Sequence, residues 1–137
     1  MTNEVFIKFP NVSSNVSIAR MAAAIFASHH GFSISGVEEI KVAVSEAVSN
    51  AVLHAYPGSL GSVEVVMRCI DKGMEIIVED FGKGIEDLEQ AKQAGFTSMP
   101  EHMGLGFTFM ESFMDELFVE SSPGKGTKLR MAKNSCH

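Results

Sequence analysis

The chain has 137 residues, 45% of them hydrophobic and 20% charged, with a formal net charge of −6 at pH 7. That size and balance suit one globular domain over residues 1–137, and the acidic excess argues against a sequence-independent grip on nucleic acid, which needs dense Lys and Arg against phosphates. The longest apolar run, residues 21–27, is too short to cross a bilayer, and MTNEVFIKFP lacks the basic and long apolar regions of a secretion signal, so a soluble, cytoplasmic protein is expected.

EVFIKF alternates, with Val5, Ile7 and Phe9 on one side, and predicts a strand. From Ser13 or Ser14, either a suitable N-cap, the period becomes helical: Val16, Ala19, Ala23, Phe26 and Ala27 form one stripe, and Gly31 closes it. A second helix is predicted over residues 37–54, burying Ile40, Ala43, Val44, Ala47 and Ala51, before YPGSLGS ends it. SVEVVMRCI and MEIIVEDF are alternating runs joined by DKG, a hairpin signal because Asp and Gly tolerate the tight turn. In the second run Met74, Ile76, Val78 and Asp80 share a face, so an acid ends an apolar row. Cys69 in the first run and Cys136 near the C-terminus make neither a disulfide framework nor a metal-type pair.

Residues 81–107 hold five glycines, one proline and a short helical pattern over 86–94. Such a stretch in a small domain reads as a lid or binding loop. FTFMESFMDE predicts a helix with Phe107, Met110, Phe113 and Met114 inward, and LFVESS and TKLRMA close the chain as strands around PGKG. The order of elements points to an α+β, two-layer sandwich, a mostly antiparallel sheet with helices on one face.

Three motifs carry the chemistry. In SEAVSNAVLHAY, Glu46, Asn50 and His54 stand four residues apart and so form one file on the second helix. Glu and Asn also suit a solvated helix side, but the Ala and Val flanks point to a file bordering a cleft. The Asn amide donates or accepts, and its oxygen can complete the octahedral shell that Mg2+ prefers. In EDFGKGI, Asp80 is followed by Gly82 and Gly84, where the backbone turns sharply or a ligand comes close; an ordinary turn has the same composition. In MGLGF, Gly104 and Gly106 lead into the helix that starts at Phe107, where free N–H groups suit phosphate; a helix-start hinge reads the same way. The spacing is neither a Walker A loop nor a dinucleotide fingerprint.

Glu-x-x-x-Asn on a helix, Asp-x-Gly-x-Gly after a strand and Gly-x-Gly opening a helix together resemble, in order and spacing, the ATP-binding fold of gyrase, heat-shock chaperone, histidine kinase and mismatch-repair ATPases. This is the GHKL superfamily and its Bergerat fold. Across nearly the whole chain, VSEAVSNAVLHAY, EDFGKGIEDLEQA, GLGFTFMESFMDEL and PGKGT are similar to the small anti-sigma factor serine kinases, especially the sporulation branch. The resemblance implies one histidine-kinase-like ATP-binding domain that uses ATP/ADP and Mg2+. It also implies a homodimeric protein serine/threonine kinase that holds a sigma factor of the sigma F type and phosphorylates an anti-anti-sigma antagonist on serine.

The resemblance further implies Glu46 as general base toward the acceptor serine and Asn50 as the Mg2+ ligand, the metal being shared with nucleotide phosphates. Asp80 matches the acceptor for the adenine amino group. Gly84 matches the glycine that lets the base approach, with Gly82 of the same motif also in the nucleotide site; Gly104 and Gly106 match the loop over the phosphates, and Thr127 a wall of the adenine pocket. Residues 95–103 resemble the nucleotide lid, with His102 where the family carries a basic residue near the γ-phosphate. Arg20 matches a region that engages both protein partners, against the plain alternative of a snorkelling surface side chain. His54 receives no role beyond a structural hydrogen bond at the helix end. Two alternatives stay open: a stress-response anti-sigma kinase, and a nucleotide-gated anti-sigma module without transfer activity.

Overall fold

The computed structural model describes residues 3–84 and 101–135, the latter without the side chains of 101–105. Strands β1 (Glu4–Pro10), β2 (Ser62–Ile70), β3 (Gly73–Asp80), β4 (Glu116–Ser122) and β5 (Gly126–Asn134) form one sheet. Every neighbouring pair is antiparallel, in the order β1-β2-β3-β5-β4. Helices α1 (Asn15–Ser28), α2 (Ile34–His54) and α3 (Glu101–Phe113) cover one face, as the α+β expectation required.

The alternation of β3 fixes which side chains meet the helices. Met67 faces Ile76, Val65 faces Val78, and Val63 faces Asp80 on β2, while Met131, Leu129 and Thr127 continue the same rows on β5. A slip of one residue would turn Asp80 to the opposite face. On the helical side, Ala19, Ala23 and Ala27 of α1 and Ala43, Ala47 and Ala51 of α2 are buried, and these small side chains let the helices approach closely. The large members of the core, Ile40, Met67, Met74, Ile76, Phe107, Met110 and Met131, each contribute about 1.5–3 kcal/mol by leaving water.

Two helix starts differ from expectation. Helix α2 begins at Ile34 rather than 37, because extended Ser33 accepts the Gly36 N–H at 3.1 Å and satisfies an otherwise unpaired donor. The apolar stripe starts later than its cap. Helix α3 begins at Glu101, so Gly104 and Gly106 are helical and do not form a loop ahead of Phe107. Glycine in a helix costs about 1 kcal/mol against alanine, and burial of Phe107, Met110 and Met114 on the same segment outweighs it. The short helical pattern over 86–94 lies outside the described residues.

The other face of the sheet carries a charge network. Buried Glu75 accepts from Arg68 Nε at 2.7 Å and from Arg130 Nη1 at 2.9 Å, and the Arg130 guanidinium lies 4.3 Å over the Phe118 ring.

Candidate functional site

A pocket opens where α2, the end of β3, α3 and β5 converge. Asn50 and His54 line it from α2, Asp80 from β3, Lys83 and Gly84 from the following loop, Phe107 from α3, and Thr127 and Leu129 from β5. Ala47, Ala51 and Val78 complete apolar walls.

At one end, Asp80 is 6% exposed, and its Oδ1 accepts the N–H groups of Gly82 at 3.0 Å and Thr127 at 3.3 Å. Burial pushes this carboxyl above the usual range; the two N–H bonds oppose the rise and nearby Glu79 adds to it. The loop after Asp80 is tied down on both sides. Lys83 N–H donates to the Ala55 carbonyl at the end of α2 at 2.8 Å, and Gly124 N–H of the β4–β5 turn donates to the Lys83 carbonyl at 2.7 Å. Gly84 and Gly126 hold φ of +76° and +100°, and each packs so tightly, on the Ser122 and Asp80 carbonyls respectively, that a side chain would collide. Thr127 is held by a 2.9 Å hydrogen bond between its hydroxyl and that of Ser121.

At the other end, both amide atoms of Asn50 are buried without a hydrogen-bond partner among the described residues. Native proteins seldom leave an amide in that state, and an ordered water, an ion or a ligand is its expected partner. One turn earlier, Glu46 faces Gly106 of α3. A Cβ at Gly106 would sit 2.9 Å from Glu46 Oε2 and 3.6 Å from Asn50 Nδ2, so α3 presents bare backbone to the pair. Glu46 also lines a second groove with Arg20, Lys41 and Ser45. Arg20 is half-buried and donates from Nη2 to the Ser17 hydroxyl at 3.1 Å.

Among the residues singled out by sequence, Asn50, Asp80, Gly84 and Thr127 therefore share one pocket. Gly82 packs beneath it against Ala55, where no side chain fits, and Gly106 sits behind Glu46 and Asn50. Glu46 and Arg20 meet at the adjacent groove. Gly104 is a helical position, while the His102 side chain and residues 95–100 of the expected lid lie outside the described residues. Lys83 and His54 are lining residues to which the sequence assigned no ligand role. Lys83 stands between the two motif glycines and His54 one turn after Asn50, and those positions were the available signals. An acceptor carboxylate at one end, an unsatisfied amide at the other and apolar walls between suit a flat ring with an amino group and a charged, metal-binding tail.

The sequence profile of the histidine kinase-like ATPase domain matches residues 9–133. An anti-sigma F factor of Caldanaerobacter subterraneus subsp. tengcongensis is 47% identical over 133 residues, covering 96% of this chain and 93% of that one. That of Clostridium acetobutylicum is 44% identical over 135 residues, with 97% and 94% covered, and that of Geobacillus stearothermophilus 41% over 141 residues, with 99% and 95% covered. Among solved structures, the blue-light activated histidine kinase of Erythrobacter litoralis EL346 superposes with a TM-score of 0.60 at 21% identity, over 76% of this chain and 32% of that one, a likeness of fold alone. No helix among the described residues is long and apolar enough to cross a membrane. The chain belongs to the anti-sigma F factors, a family built on the histidine kinase-like ATPase domain.

Proposed function

We propose that this anti-sigma factor is an ATP-dependent protein serine kinase of the sporulation type, working as a cytoplasmic homodimer. It sequesters a sigma factor of the sigma F type and inactivates an anti-anti-sigma antagonist by phosphorylating it on serine. The names of its relatives support the sigma-factor partner. The observation that carries the catalytic half is the buried, unpartnered Asn50 amide, one helical turn from a carboxylate and inside a pocket that ends on Asp80.

When bound, Mg-ATP supplies the phosphoryl group that is transferred. The Asn50 amide oxygen would help hold the Mg2+ that accompanies the nucleotide, an ion suited to oxygen donors. Asp80 receives the adenine amino group on Oδ2, the oxygen that neither backbone N–H engages. Thr127 and Gly84 shape the wall beside the ring. Glu46 orients the acceptor hydroxyl and takes its proton, and such positioning with charge stabilisation supplies most of the rate in phosphoryl transfer. Its place one helical turn from Asn50, lining the second groove, supports this role, with the nucleotide pocket reached through Asn50 and the protein acceptor through the groove. Arg20 lines that second groove and serves as the partner contact. Gly106 keeps α3 close to Glu46 and Asn50, and Gly104 and His102, helical positions of the same segment, are the proposed phosphate contacts. Nucleotide state selects the partner if sigma factor and antagonist prefer different bound forms.

The test is to mix the protein with Mg-ATP, antagonist and sigma factor, and to record intact masses. A gain of one phosphate on an antagonist serine supports the proposal. Tight nucleotide binding with no mass gain would leave a nucleotide-gated clamp and remove the kinase.

A further inference from the structure

We propose that Tyr56 is a positioning residue for recognition of the nucleotide base, acting through the backbone that carries Asp80. The inference rests on the nucleotide reading above. The β2–β3 ladder ends with Val63 opposite Asp80, and the next pair in that register would be Ser62 and Phe81. Those two residues are bridged by a phenol. The Tyr56 hydroxyl donates to the Ser62 carbonyl at 2.6 Å and accepts the Phe81 N–H at 2.7 Å. A side chain from the end of α2 thus stands in for the next ladder bond and separates the two strands immediately after Asp80.

Three further contacts tie this bridge to the pocket. The Tyr56 ring lies over Gly61, where any Cβ would overlap it, so the hydroxyl has little freedom to leave. The neighbouring Ala55 carbonyl accepts the Lys83 N–H at 2.8 Å, so α2 grips the loop at a second point. Between those two grips lies Gly82, whose N–H donates to Asp80 Oδ1. The Asp80 carboxylate is therefore aimed by a loop whose entry the Tyr56 hydroxyl fixes. Phenylalanine fills the same space and cannot bridge, leaving the Phe81 N–H and the Ser62 carbonyl to water. Phe81 is half exposed, so the chain still folds while the loop loosens.

The experiment measures ADP and GDP binding by calorimetry in wild type, Tyr56→Phe, Asp80→Asn and the double variant, with thermal melts alongside. Wild type should prefer ADP by about 100-fold, since a site built around one hydrogen bond rejects the base that lacks its donor. Tyr56→Phe should weaken ADP about five- to tenfold and leave GDP unchanged. In the Asp80→Asn background the same substitution should cost nothing more, because the two act as one unit. Gly61→Ala, which displaces the ring and keeps the hydroxyl, should reproduce the ADP-selective loss. Wild-type ADP affinity and preference in Tyr56→Phe would overturn the inference, as would an equal loss in the Asp80→Asn background. If wild type does not prefer ADP over GDP, the base-recognition reading itself falls, before any variant is compared.

Discussion

Strand β3 carries a buried carboxylate on each face of the sheet, and the two are held in opposite ways. Glu75 sits between two guanidiniums, from Arg68 and Arg130, which outweigh its burial and hold its carboxyl below the usual range. Asp80 sits among the pocket walls with only backbone N–H groups on one oxygen, and burial keeps its carboxyl above that range. The first charge is neutralised inside the protein; the second keeps acceptor capacity for something from outside. A buried acid matched by cations serves the fold, whereas one matched only in part marks a site.

Substitutions can break this contrast. Asn50→Ala should have the largest effect, weakening Mg-ADP binding about 100-fold by calorimetry. Its melting temperature should not fall, since an amide without partners contributes nothing to the apo fold. Asp80→Asn should weaken ADP about 10- to 100-fold, while Glu75→Gln should leave ADP within about twofold. Stability should reverse that order. Glu75→Gln should cost about 1–2 kcal/mol in denaturant melts, discounted because both arginines are substantially exposed.

The smallest effects sharpen the contrast through pH. The contribution of Glu75 is present above its unfolded value and is lost as pH falls through the depressed folded one, so Glu75→Gln should flatten the acid side of the stability profile. Asp80 has the opposite sign. Its contribution is full below the unfolded value and is lost as pH rises through the raised folded one, so Asp80→Asn should remove a decline over that window. ADP binding should strengthen over the same rise as Asp80 ionises.

Much of this was legible because it depends on local period. The alternation Met74, Ile76, Val78, Asp80 put the acid on the core face, and the fourfold spacing of Glu46, Asn50 and His54 put the polar file on one helix. What escaped depends on residues far apart in sequence. The start of α3 was hidden because two glycines argue against a helix, and only tertiary burial of Phe107 and Met110 overrides them. The closeness of Gly106 to Glu46 comes from the packing of α3 on α2. Tyr56 reads as the first residue of the YPGSLGS stretch that ends the second helix; its bridge exists only once β2 and β3 have set their register.

The central claim is that the α2 file divides its labour, Asn50 holding nucleotide and Glu46 handling the acceptor proton. The measurement that bears on it most directly is Glu46→Gln, with ADP affinity by calorimetry and antagonist phosphorylation by intact mass on the same preparation. The account predicts ADP affinity within about twofold of wild type and a transfer rate lower by about 100-fold or more. Transfer at the wild-type rate, with binding intact, would contradict it.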